Sequence, residues 1–187
     1  MKIGLVLAGG GGKGAYELGV WKALDELKLT KYITVFSGTS IGAFNSVLFA
    51  MNDMKKADEL WEEVTMDKLV PISKSELIKR GIGLYIGGKN LQLAKKFLNY
   101  KLEHGAIAND GAIEVVEKYL DFNKIKENNK ICYAACTKLS DFSAKYFKIN
   151  DFDEETGKKI VLASASLPLI YDCTEVLGEK YIDGGIA

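Results

Sequence analysis

An apolar run at residues 3–8 breaks into four consecutive glycines, Gly9-Gly10-Gly11-Gly12-Lys13-Gly14. A second run, β-branched and aromatic at residues 32–36, breaks into Gly38-Thr39-Ser40-Ile41-Gly42. Each break leads into a segment of helical character. After the first, Val20, Leu24 and Leu27 fall on one face of a helix over residues 15–28. After the second, residues 43–51 are nearly all apolar, the mark of a helix buried on most sides. Two strands that each turn directly into a helix argue for layered packing. The fold class read here is α/β, a mainly parallel central sheet flanked by helices.

Farther along, Ala57, Leu60, Trp61 and Val64 form the apolar stripe of an amphipathic helix over residues 55–64, with Lys56, Asp58, Glu59, Glu62 and Glu63 toward water. Residues 70–89 are punctuated by Pro71, Gly81, Gly83, Gly87 and Gly88, with Ile82, Leu84, Tyr85 and Ile86 between them, a pattern that fits a flap beside a site. Asn109 or Asp110 is placed to cap a helix running to about Leu120. The polar residues 123–130 read as a loop, and 131–137 and 145–149 as strands joined by a turn at 140–143. Residues 158–166 read as a helix stopped by Pro168, and 180–182 as a strand entering Asp183-Gly184-Gly185. Without repeat, low-complexity tract or linker, residues 1–187 are read as a single domain long enough to bury a core.

Twenty-five basic residues offset twenty-five acidic ones, so no net field draws the chain to nucleic acid. The three cysteines, Cys132, Cys136 and Cys173, have no zinc-like spacing, which favours reduced intracellular thiols. The apolar run at residues 3–8 is too short for a signal peptide or a membrane span. A cytoplasmic location is the expectation.

The motifs carry the chemistry. A strand–G-x-S-x-G–helix turn is a nucleophile elbow: its glycines allow a sharp bend that lifts the Ser40 hydroxyl clear, and the next helix aims its first amides at the same point. A merely structural turn is the bland alternative. The amides of Gly9 to Gly12 lack side-chain cover and suit an anion. Gly9, Gly11 and Gly14 also satisfy G-x-G-x-x-G, which leaves a nucleotide-binding module as an alternative. Against it, the second strand ends in Phe36-Ser37-Gly38 without the acidic residue that holds a ribose, and Gly12-Lys13 is followed by Gly14 rather than Ser or Thr. A serine needs a base within reach. The single histidine, His104, lies before the candidate acid and is read as a surface residue at a helix end. Asp183, after a short strand and before two glycines, is the better candidate, although Asp-Gly alone is a common turn.

Taken together, Gly9-Gly10-Gly11-Gly12-Lys13-Gly14, Gly38 to Gly42 and Asp183-Gly184-Gly185 resemble the three motifs of the patatin-like phospholipases, in order and across essentially the whole chain. Ala163-Ser164-Ala165-Ser166-Leu167-Pro168 is similar to that family's small-residue helix ending in proline. The resemblance implies a patatin-like three-layer fold, Ser40 as nucleophile, Asp183 as general base and Gly10, Gly11 and Gly12 as the oxyanion loop. Gly9, Lys13, Gly14, Gly38 and Gly42 take supporting places. It implies a lipid ester substrate met transiently at a membrane or micelle surface, and neither metal nor organic cofactor. In the family the chain usually continues after the D-G-G motif, so a C-terminal truncation is expected here. A catalytically inactive lipid-binding relative is the remaining alternative. Trp61 and the apolar residues at 82–86 are candidates for an acyl channel or a membrane contact, with core packing the simpler reading of Trp61.

Overall fold

Strand β1 (Ile3–Leu7) pairs in parallel with β2 (Ile33–Thr39), and β2 pairs in parallel with β3 (Ile131–Lys138). The computed structural model describes residues 2–64, 103, 110–168 and 170–187, so the segment at 70–89 and His104 lie outside the described residues. Beyond β3 the sheet turns antiparallel, through β4 (Ala144–Lys148), β5 (Thr174–Val176) and β6 (Glu179–Asp183). The described sheet is therefore mixed, with its parallel part leading into the glycine motifs.

Register explains how a gap opens in this sheet. Along β3, residues Tyr133, Ala134 and Ala135 pair with both β2 and β4, so those two strands occupy opposite edges of β3. Strand β6 pairs with Cys136, Thr137 and Lys138, of which Cys136 and Thr137 also pair with β4. Strand β6 must therefore lie on the β2 side, continuing the edge where β2 stops. Thr39 is opposite Ala135 and Asp183 is opposite Cys136, so the end of β2 and the end of β6 meet head to head.

One face of the sheet carries the core. Phe36, Cys132, Ala134 and Cys136 are fully buried there, against helices α1 (Gly14–Glu26), α2 (Ile41–Ala50) and α6 (Glu154–Ala165). The Cys132 thiol lies 3.6 Å from the Ser46 carbonyl of α2, and the Cys136 thiol 3.6 Å from the Ile160 carbonyl of α6. Burial raises the proton affinity of both thiols, which keeps them inert. Trp21 of α1 stacks on Phe49 of α2 at 5.1 Å and meets Phe36 edge-on at 5.6 Å. Helix α2 is buried from Gly42 to Ala50, as its apolar sequence requires.

Helix α3 (Met54–Glu63) begins at Asp53, whose carboxylate accepts from the Lys56 amide at 3.1 Å. Helix α4 (Asp110–Tyr119) ends where expected, while Asn109, a candidate for its cap, lies outside the described residues. Residues 123–130, read from sequence as a loop, instead contain helix α5 (Phe122–Glu127). Asp121 caps it by accepting from the amides of Asn123 and Lys124, while Phe122 and Ile125 bury its inner side. Two anchors and a cap suffice for a short helix that tertiary packing supports, although its polar composition hides it. Strand β5 was also not anticipated; it is three residues long and exists through its pairing with β6.

Candidate active site

The turn after β2 brings Ser40 to the gap in the sheet. Ser40 has φ 56° and ψ −131°, a conformation that non-glycine residues rarely hold. Close packing explains both flanking glycines. A Cβ on Gly42 would overlap the carbonyl of Leu7 at the end of β1, and one on Gly38 would overlap the carbonyl of Gly42. The strain at Ser40 is held by a neighbour from α6. Ser164, fully buried, accepts from the Ser40 amide at 3.0 Å and donates to the Ala135 carbonyl at 2.6 Å. The Ser40 amide is thus already engaged, and α2 begins beyond it.

Asp183 enters the same gap at the end of β6 and is 3% exposed. Its backbone is pinned on both sides: its amide donates to the Ser166 carbonyl at 2.9 Å and its carbonyl accepts from the Thr137 hydroxyl at 2.8 Å. The Gly184 amide donates to the Ser164 carbonyl at 3.3 Å, so Ser164 contacts both motifs. Within the side chain, Oδ1 accepts from the Gly185 amide at 2.8 Å, while Oδ2 is buried with no well-formed hydrogen bond among the described residues. Burial raises the proton affinity of this carboxyl; the nearby Ser40 hydroxyl and the Gly185 amide pull the other way, more weakly. Ser40 is thus close enough to influence Asp183 without completing an aligned bond to Oδ2.

The glycine run folds beside them. Gly10 and Gly11 have φ 143° and 57°, and residues Gly11–Lys13 make one tight turn closed by the Lys13 amide on the Gly10 carbonyl at 3.2 Å. Gly9 lies against the serine turn, where a Cβ would come 2.7 Å from that of Ser40. The amides of Gly10, Gly11 and Gly12 have no protein acceptor among the described residues. The Lys13 stem folds over Gly10, within 3.4 Å of where a Cβ would stand, and the residue is otherwise exposed. Gly14 is buried, with the ring of Trp61 2.6 Å from the position its Cβ would take.

These residues open on a cavity of about 600 Å³ that runs between α2, α3, α4 and α6. Gly9, Gly10, Gly11, Ser40 and Asp183 line one end, and Gly12 is not part of the lining. Phe44, Leu60, Val116 and Val161, all buried, form the deep wall, with Trp61 beside them. Trp61 is therefore both a packing residue and a cavity wall. Asp183 is the one charged side chain among the described lining residues. Among the described residues no three His, Cys, Asp or Glu side chains converge as metal ligands, and no helix is long and apolar enough to cross a membrane.

A hydroxyl, a buried carboxyl of raised proton affinity and unengaged amides at the mouth of an apolar cavity are the parts of an acyl-transfer site. Sequence reasoning brought Ser40, Asp183 and the glycine run forward. It did not assign a role to Ser164, or single out Asn45, which is buried in α2. The available signal for Asn45 was its amide side chain amid an otherwise apolar helical run, a group that must find partners when buried.

A family model described as patatin-like phospholipase matches residues 5–187. The chain is similar to lysophospholipase nte1 of Aspergillus terreus, 52% identical over 48 residues, which are 26% of this chain and 3% of that protein. It is similar also to lysophospholipase NTE1 of Kluyveromyces lactis, 48% identical over 50 residues, 27% of this chain and 3% of that one. These matches span only a small part of the relatives' length. Among solved structures, VipD from Legionella pneumophila superposes with a TM-score of 0.61 at 22% identity, over 99% of this chain and 46% of that one. ExoU of Pseudomonas aeruginosa, in its complex with SpcU, superposes with a TM-score of 0.51 at 17% identity, over 90% of this chain and 39% of that one. Identities this low speak to the fold alone.

Proposed function

The chain belongs to the patatin-like phospholipase family, and from that premise we propose that it is a serine acyl hydrolase cleaving lipid esters, with Ser40 as nucleophile and Asp183 as its base. The observation that carries the reading is the buried Asp183 carboxyl, its Oδ2 unpartnered among the described residues and its proton affinity raised, next to a strained serine on an apolar cavity. A carboxylate that binds a proton more readily than usual is better matched to abstracting one near neutral pH.

In this reaction Asp183 takes the proton of the Ser40 hydroxyl as its oxygen attacks the ester carbonyl. The tetrahedral oxyanion is met by the amides of the Gly10 to Gly12 loop, of which Gly10 and Gly11 line the cavity, a type of contact worth about 3–4 kcal/mol per donor. Because the Ser40 amide is committed to Ser164, the charge depends on that loop and on the first amides of α2. Collapse expels the alcohol, which takes the proton held by Asp183, and leaves Ser40 acylated. Asp183 then deprotonates water, which attacks the acyl carbonyl; collapse breaks the bond to the Ser40 oxygen, which takes the proton back from Asp183, and releases the fatty acid. The acyl chain lies in the apolar cavity. Phospholipids and lysophospholipids both offer an ester carbonyl to this attack. Acylglycerols offer the same reacting bond.

Intact-mass spectrometry after treatment with a fluorophosphonate tests the assignment. One adduct is expected on the wild type and none on folded Ser40→Ala or Asp183→Asn. Lysophosphatidylcholine and monoacylglycerol hydrolysis should follow the same pattern. A folded wild type that takes no adduct and releases no fatty acid refutes the reading.

A further inference from the structure

Asn45 is fully buried in α2 and makes hydrogen bonds to two other helices. Its Nδ2 donates to the Gly14 carbonyl at 3.1 Å and to the Glu17 carboxylate at 2.8 Å, both in α1. Its Oδ1 accepts from the indole N–H of Trp61 in α3 at 3.1 Å. Chemistry fixes this orientation: the indole only donates and the Gly14 carbonyl only accepts, so a flipped amide would lose both bonds. An amide buried without partners costs several kcal/mol, and here both ends of the amide are bonded.

The position of these bonds matters more than their number. Gly14 lies one residue beyond the glycine run, after Lys13. Between β1 and Gly14, the loop's backbone bonds are those of its one tight turn, the Lys13 amide to the Gly10 carbonyl and the Gly14 amide back to the Gly11 carbonyl, while the amides of Gly10, Gly11 and Gly12 are unengaged among the described residues. A loop so lightly bonded is placed by its two ends. Its first end is β1, which is held in the sheet. Its second is Gly14, held from below by Asn45 and from the side by the Trp61 ring. Asn45 sits on the helix that starts at Ser40, so the same side chain ties the loop to the serine turn. Trp61 also forms part of the cavity wall, which connects this anchor to the space next to the reacting groups.

We propose that Asn45 is a positioning residue for the glycine loop, setting the distance between the loop amides and Ser40 through its bond to the Gly14 carbonyl. Its kinetic consequence rests on the acyl-hydrolase reading; its effect on loop order does not. Loss of the anchor lets the amides drift from the oxyanion, which forms only after attack. The effect therefore falls on kcat, and KM, governed by the apolar cavity, stays nearly the same.

The test compares wild type with Asn45→Leu, which keeps the volume and removes all three bonds, by two independent readouts. Steady-state hydrolysis of lysophosphatidylcholine should show kcat reduced by roughly 10- to 100-fold, with KM changed by less than about threefold. Backbone ¹⁵N relaxation should show the order parameters of Gly10, Gly11 and Gly12 falling from near 0.85 to below about 0.6, while the amides of β2 and β3 keep theirs. Where Asn45→Leu does not fold, Asn45→Ser, too short to span to Gly14, carries the same comparison. Unchanged loop order in a folded variant overturns the proposal whatever the activity. A normal kcat beside loosened glycines also overturns it. Loosened glycines in a protein whose wild type hydrolyses no ester sustain the anchoring role and refute the acyl-hydrolase reading instead.

Discussion

Asp183→Asn should make this protein more stable as it makes it inactive, and the size of the gain can be reasoned from the site. Asp183 is 3% exposed, and among the described residues its Oδ2 has no well-formed hydrogen bond. Leaving such an atom buried costs about 1–3 kcal/mol. Asparagine keeps the shape, keeps an oxygen for the Gly185 amide, and puts an N–H₂ group where Oδ2 stood, next to the Ser40 hydroxyl. A gain of about 1–2 kcal/mol is expected at about pH 8, or roughly 2–8 °C in Tm for a chain of this size. The pH dependence follows from the direction of the Asp183 shift. Its native proton affinity is raised, mainly by burial, so the native state holds this proton more tightly than the unfolded chain. The wild type's stability from this group is full below the unfolded pKa and is lost as pH rises through the native one. The advantage of asparagine is therefore greatest above the native pKa and fades on acidification. Urea unfolding of both proteins at stepwise lower pH measures it, alongside an activity loss of at least about 10²-fold at neutral pH. An asparagine variant less stable than wild type at about pH 8, or a gain that persists undiminished in acid, refutes the reasoning.

Ser164→Ala leaves the part-buried Ser40 amide without its acceptor and should cost about 1–3 kcal/mol, together with a fall in kcat; an unchanged urea midpoint would show that the serine turn does not depend on α6. Gly42→Ala forces a methyl against the Leu7 carbonyl, so β1 and the serine turn must part, at about 1–3 kcal/mol or more; a thermal melt matching wild type would contradict the packing described. Val161→Phe fills the deep wall of the cavity and should favour short over long p-nitrophenyl esters by about 10-fold or more, whereas an unchanged chain-length profile would move the acyl chain elsewhere.

The stability argument and the inference from Asn45 describe one arrangement. The proposed reactive groups are held in unfavourable states, Ser40 by its backbone and Asp183 by burial, and other buried polar groups hold the surrounding chain in place. Ser164 and Thr137 fix the backbones of Ser40 and Asp183 through their hydroxyls. Asn45 does the same for the glycine run.

What could be read from the chain alone was whatever its local chemistry specifies. Strand, glycine run and helix lie within a few residues of one another, and the steric demands of a sharp turn act at that range. The strand-to-helix breaks around the two glycine motifs, the buried character of α2 and the candidacy of Ser40 were therefore all legible, although β2 runs on through Gly38 to Thr39, past the residue 36 at which the sequence ends it. Asp183 was legible only as one member of a set, since an Asp-Gly turn has many uses. Helix α5 was not legible, because its polar residues conceal two anchors whose partners lie elsewhere. Strand β5 depends on its pairing with β6, and so does the gap that receives Ser40 and Asp183, which arises only because β6 takes the edge of β3 where β2 leaves off. Asn45 and Ser164 are ordinary polar residues until the helices around them close. Burial removes their access to water, and only the tertiary structure decides which groups then replace it as hydrogen-bond partners.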